Sequence, residues 1–351
     1  MTIMVPAVEA GELWRQARIA RQLGSFFVAE VLEAAERQLH RAPRTAEMVR
    51  TWPGDPSAAA MAMRLNAALH ALARRDTIPV LTALYRGEHE DYDRAIAAAL
   101  TLADEFIQKW MMHVPQTNEV GRAAAIAAAL MQVSGRTAMP FELIELGSSC
   151  GLNLNLARYG YNLGGATAGV EDSRVQIAPV WHGPAPSVAP LQVVRAEGVD
   201  LNPLDPGDEA TRERLLAFIW ADQRKRSHRL QQALALACCH PPVVHQGHAV
   251  PWLADRLARP QADGVCRAVI HSMVLQYLTA EERAQVTSMI AEAGARATAA
   301  RPLCWISFEW TPQRTEVLLT LTTWPDGEKR VLAQCHPYGD WVEWYGEQGR
   351  A

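Results

Sequence analysis

Apolar residues recur at three- and four-residue spacing along "GELWRQARIARQLGSFFVAEVLEAAERQLHR", residues 11–41. The same period runs through "DPSAAAMAMRLNAALHALARRD" and "EDYDRAIAAALTLADEFIQKWMM", whose acidic starts suit helix N-termini. Alanine dominates and β-branched residues are sparse, so no strand is expected before Phe141. Then the period changes. "FELIEL" (Phe141 to Leu146) reads as a buried strand, and a Gly- and Pro-rich stretch follows, with "VQIAPVW" a candidate strand inside it. "QVVRAEGVD", "PPVVHQGHA", "GVCRAVIH" and "PLCWISFEW" predict further strands. Between them, helices are expected in "DEATRERLLAFIWADQRKRSHRLQQALALACC", with a break near Trp220, in "PWLADRLA" and in "AEERAQVTSMIAEAG". Thr279 and Glu282 form a capping box at the head of the last of these. "EVLLTLTTW", "PDGE" and "KRVLAQCH" read as a closing β-hairpin.

Strands alternating with helices imply a parallel sheet. The expected architecture is an all-helical N-terminal domain (residues 1–136). An α/β domain (137–351) follows it: a Rossmann-like, doubly wound, mostly parallel sheet with a C-terminal antiparallel hairpin.

The chain has 351 residues, 49% hydrophobic and 21% charged, which is ordinary for a soluble globular protein. The net charge of -4 implies no pull toward nucleic acid or membrane surface. The first residues show no basic segment followed by an apolar one, so no secretory signal is expected. The longest apolar run, "AAAIAAALMQV", is too short to span a bilayer. Six cysteines without C-x-x-C spacing read as free thiols, which points to the cytoplasm.

The chemistry concentrates at "ELGSSCGLN", just after the first strand. Gly147-Ser148-Ser149-Cys150-Gly151 matches the G-x-S-x-G elbow of serine hydrolases, with Ser149 as nucleophile. A triad with Asp255 or Asp263 and His271 or His336 has the right chain order, but no oxyanion-hole loop precedes the elbow. The alternative is a glycine turn that lets a cofactor approach backbone, with a helix from near Leu152 aiming its N–H groups at the ligand. The spacing is G-x-x-x-G, which favours a ligand without a pyrophosphate. His240, His245 and His248 cluster near Cys238 and Cys239, but His245 and His248 alternate across a strand, so no metal site is expected. "RKRSHR" reads as a solvated helix face. Trp324, Trp341 and Trp344 suit a lid, a core or a homodimer interface.

Six strings stand in one order: "PQTNEVGR", "ELGSSCGLNL", "GVDLNPLD", "WADQ", "HSMVLQYL" and "CHPYGDWVEW". Together they resemble a bacterial family catalogued as a domain of unknown function, whose fold looks like that of class I S-adenosylmethionine-dependent methyltransferases. The resemblance implies S-adenosylmethionine as cofactor and a small-molecule substrate. Glu145, Gly147, Ser148, Ser149, Gly151 and Asn153 would form the cofactor turn, with Ser149 where a second glycine is usual. The ribose would fall to an acid ending the second strand: Asp200 beside Asn202, or Glu171 or Asp172 by spacing alone. Gln246 and Gly247 would lie near the adenine. His271, Ser272, Gln276 and Tyr277 would line the methyl-transfer pocket, with His271 as general base or orienting group, or else a hydrogen-bonded strand-end histidine. Asn118, Glu119 and Arg122 would reach the cofactor or substrate; otherwise Thr117 or Asn118 caps a helix and Arg122 is solvated. A non-catalytic module on the same fold, binding a nucleoside or a protein, remains the other reading.

Overall fold

The computed structural model describes residues 11–116 and 118–350. They divide into two compact units: the described part of Met1–Thr117 with Glu209–Ser227, and Asn118–Asp208 with the described part of His228–Ala351. In chain order the helices are α1 (Glu12–Gln22), α2 (Phe26–Gln38), α3 (Pro43–Arg50), α4 (Met61–Arg74), α5 (Pro79–Arg86), α6 (Tyr92–Met111), α7 (Ala123–Thr137), α8 (Glu209–Phe218), α9 (Arg224–Cys239), α10 (Ala249–Ala258) and α11 (Ala280–Ala295).

The first unit holds α1 to α6 and α8. Its core is a layer of Leu13, Leu32, Leu65, Leu69, Leu81 and Ile96 interleaved with alanines, which let helix axes approach closely. The expected acidic start of α6 is a true cap: Asp91 accepts the Arg94 N–H. The long segment expected to break near Trp220 does so, between α8 and α9.

The sequence boundary at residue 136 and the unit boundary differ. Helix α7 belongs to the second unit, because its twelve residues from Ala123 to Ser134 are all buried, and it packs on the sheet strands described next. A helix apolar all round needs cover on every side.

The strands are β1 (Phe141–Leu146), β2 (Gly160–Leu163), β3 (Ala166–Gly169), β4 (Gln176–Ile177), β5 (Val180–His182), β6 (Val193–Asp200), β7 (Val243–Gln246), β8 (Cys266–Ser272), β9 (Leu303–Trp310), β10 (Val317–Trp324), β11 (Glu328–Cys335) and β12 (Trp341–Trp344). Nine form one sheet in the order β5-β12-β11-β10-β9-β8-β1-β6-β7. The five strands β7-β6-β1-β8-β9 are parallel, and β9-β10-β11-β12 is an antiparallel meander. β1 and β8 are buried on both faces: Leu143, Ile144 and Leu146 with Glu145 between them in β1, and Cys266 to His271 in β8. The Gly-rich stretch adds a small sheet, β3-β2-β4; β4 falls within the candidate strand "VQIAPVW", while β2 and β3 form in chain expected to be irregular.

The capping box at Thr279 and Glu282 is formed in both directions. Trp324 packs against α11, where Gly294 leaves room for its indole, and Trp344 is buried in β12. Trp344 is therefore core, and Trp324 is half-buried against the core.

Candidate functional site

The strand order reverses between β1 and β8, the switch point at which a doubly wound sheet opens a crevice beyond the carboxyl ends of its strands. Beyond β1, Gly147, Ser149 and Gly151 all take left-handed backbone conformations (φ +66°, +54° and +71°). Ser149 carries a Cβ, so its geometry costs about 1–2 kcal/mol. The turn is stitched to the end of β6: Ser148 N–H donates to Val199 O at 3.0 Å, Ser149 N–H to Asp200 Oδ2 at 2.8 Å, and Leu204 N–H to Ser149 O at 3.1 Å.

Two expectations about this turn do not hold. The helix foreseen from Leu152 is a seven-residue 3-10 helix, and Asn118 Oδ1 takes its Leu152 N–H at 2.8 Å. The two glycines face protein. A Cβ on Gly147 would overlap Val274, and one on Gly151 would lie 2.7 Å from Pro242 Cβ and Val244 Cγ2. They are demanded by packing within the fold, not cleared for a ligand.

The open part of the edge lies at β6 and β7. Asp200 is half-buried, and its second oxygen accepts Asn202 N–H at 2.9 Å. Gly247 N–H donates to Asp200 O, and a Cβ there would meet only Val199 Cγ2, at 3.8 Å. Asn202 and Gln246 are exposed, Gln246 donating to Leu201 O at 3.4 Å. Glu171 and Asp172 are exposed in the turn after β3, so Asp200 is the acid that ends a strand beside β1.

Three side-chain oxygens in the same turn are buried without a hydrogen-bond partner: Glu145 Oε2, Ser149 Oγ and Asn153 Oδ1. Burial pushes the Glu145 carboxyl up to about 8; Ser148, Asn153 and Arg122 pull it back, and Asp200 adds to the rise. Glu145 therefore carries a proton at neutral pH. Ser148 Oγ donates to Glu145 O at 3.1 Å.

His271, at the end of β8, is 1% exposed and has both nitrogens committed. Trp305 Nε1 donates to its Nε2 at 2.9 Å, which places the hydrogen on Nδ1, shared with Glu309 Oε1 at 2.7 Å. The same Glu309 oxygen accepts Val274 N–H at 2.9 Å and Leu275 N–H at 3.3 Å. His271 is thus hydrogen-bonded at the strand end, which is one of its two foreseen roles. Glu309 and Trp305 were missed, although a lone carboxylate in "LCWISFEW" was a visible signal. Beyond β8, Met273 is left-handed (φ +60°), Gln276 bonds Met273 O and Arg314, and Tyr277 is 81% exposed.

The described residues of "TNEVGR" are also internal; Thr117 lies outside the described residues. Asn118, Glu119 and Arg122 are buried. Glu119 accepts Gly121 N–H and pairs with Arg229 at 3.1 Å. Arg122 donates to Pro337 O at 2.8 Å and to Ser272 O at 3.2 Å, so it is not solvated. Gly121 and Gly339 pack backbone to backbone, with no room for a Cβ on either. Arg229, and with it "RKRSHR", is likewise not a uniformly solvated face.

No base is hydrogen-bonded to Ser149 Oγ. The other triad candidates pair elsewhere: Asp255 with Arg256 and Arg259, Asp263 with Arg301, and His336 with Asp340. His245 bonds Glu197, and His248 caps α10 and pairs with Glu282. Among the described residues no group of three or more His, Cys, Asp or Glu is placed to hold a metal. None of the described helices is long and apolar enough to cross a membrane.

Five of the six strings thus meet at one edge of a doubly wound α/β sheet: Asn118 on Leu152, Arg122 on Ser272 and Pro337, and Asp200 on Ser149. The chain belongs to the family described as "Uncharacterized protein conserved in bacteria (DUF2332)", whose model matches residues 10–344. Comparison with curated proteins and with solved structures gives no match.

Proposed function

We propose that the chain is an S-adenosylmethionine-dependent methyltransferase acting on a small molecule. The observation that carries this reading is Asp200: a half-buried carboxylate ending the strand next to β1, beside the switch point, each oxygen taking one backbone N–H. Each oxygen retains acceptor capacity for a ribose hydroxyl. Gly247 leaves the adjoining surface open, which suits a base next to that ribose. The glycine turn does not fit the expected cofactor contact, because Val274, Pro242 and Val244 fill it. The proposed site is therefore centred on β6 and β7.

When bound, the cofactor supplies an electrophilic methyl for in-line displacement. The chain's contribution is alignment of the acceptor, the largest source of rate in such a step. His271 holds the loop after β8 through Glu309. The second reading, a binding module without turnover, is favoured by that same commitment of His271.

Isothermal titration with S-adenosylmethionine and with its demethylated product tests the proposal. Saturable heat that Asp200→Ala abolishes supports it. No heat and no thermal shift at millimolar ligand overturns it, and binding without methyl transfer to any small molecule of a bacterial extract selects the module.

A further inference from the structure

A cavity of about 860 Å³ lies within the first unit, between α3, the chain from Thr51 to Ala59, and the ends of α4 and α6. That volume is in the range of small-molecule sites. Its walls are apolar and adaptable: Pro43, Met48, Trp52, Pro53 and Met112. The polar groups around it are unbalanced in charge. Arg64 stands over the Trp52 ring at 5.3 Å and spends Nε and Nη1 on the carbonyls of Ala59, Met111 and Met112. No carboxylate pairs with it among the described residues. Arg44 reaches Glu105 only at 3.9 Å, across exposed surface. The one acid lining the cavity, Glu47, is already taken by Arg50. Gln108 adds an amide donor.

We propose that this cavity binds an amphiphilic monocarboxylate, with its chain against Met48, Trp52 and Met112 and its carboxylate on the Arg64 guanidinium. An unpaired, partly buried guanidinium beside an apolar wall favours one anionic head and one apolar body. A cation would meet two arginines. A neutral alcohol would leave Arg64 uncompensated. The inference is independent of the methyltransferase reading, since it uses no residue of the sheet edge.

The test is titration of the full chain with sodium decanoate below its micelle concentration, beside decanol and decyltrimethylammonium. Methionine-methyl NMR of the unaltered chain is followed in parallel. The expected result is saturable 1:1 binding of decanoate that shifts the Met48 and Met112 methyls. Arg64→Gln should weaken decanoate by about tenfold or more while leaving decanol unchanged. Equal binding of all three amphiphiles overturns the proposal, as does decanoate binding that leaves Met48 and Met112 unmoved. Should Arg64→Gln fail to fold, the methyl shifts of the unaltered chain and the amphiphile comparison decide.

Discussion

Asp200 Oδ2 accepts the backbone N–H of Ser149 at 2.8 Å, so the acid that ends β6 also fixes the left-handed turn that ends β1. One side chain thereby couples the ends of two adjacent parallel strands, β1 and β6. Under the proposed function, ligand binding there and the local backbone conformation depend on the same carboxylate.

Asp200→Ala should therefore show two losses. Removing the acceptor for Ser149 and Asn202 costs about 2 kcal/mol in urea denaturation, moderated because water reaches the site. Under the proposed function, affinity for the demethylated cofactor falls more than about tenfold by calorimetry. Asp200→Asn keeps one acceptor and should fall between. A stability loss with ligand affinity intact would confine Asp200 to a structural role.

Gly147→Ala separates packing from ligand approach. Its left-handed φ and the overlap with Val274 together predict a loss of roughly 2–4 kcal/mol. Val274→Ala in the same chain should recover part of it, a coupling that a double-mutant cycle reads directly. If the glycine instead served a ligand, the single variant would keep its stability and lose only affinity.

How much of this was legible before the fold was known depends on where each partner stands. The parallel strands were legible because buried strands read as apolar runs between turn residues, and the capping box because its two residues are three apart. Helix α7 was placed with the helical half because its period is the same whether it packs on helices or on a sheet. The 3-10 helix at Leu152 was read as an α-helix because the nearby cap that satisfies it, Asn118, is 34 residues upstream. Sequence shows that Gly147 needs the left-handed region or close approach. It does not show that the neighbour is Val274. His271 had two roles open because Glu309, 38 residues later, faces it only through the register of β8 on β9.

Glu309 is the residue whose loss should loosen the loop after β8. One of its oxygens gathers three N–H donors, from His271, Val274 and Leu275. Glu309→Gln keeps a neutral acceptor and should cost about 1–2 kcal/mol; Glu309→Ala leaves the imidazole unpaired in the core and should cost about 3 kcal/mol or more. Hydrogen exchange should accelerate first at Val274 and Leu275. Unchanged protection of those two amides in Glu309→Ala would show that the loop is held by other contacts.

The two units should respond to pH in opposite directions. In the second, Glu145 rises from the ordinary 4.5 to about 8 through burial, so the folded state holds a proton that the unfolded chain releases. Its contribution is fully present below 4.5 and is lost as pH rises toward 8, with a slope of at most about 1.4 kcal/mol per pH unit. In the first, His70 falls from 6.5 to about 4, chiefly through burial and then through nearby Arg74, while its Nδ1 is held by Ala217 O and Ile219 O. Its contribution is fully present above 6.5 and is lost as pH falls toward 4. Urea denaturation at pH 5, 7 and 8.5 should therefore show Glu145→Gln gaining on the parent chain as pH rises. A probe in the helical unit should weaken on acidification in the parent and lose that dependence in His70→Gln. Parallel pH profiles for Glu145→Gln and the parent would mean that the carboxyl is ionised in the fold, with a counter-charge close by.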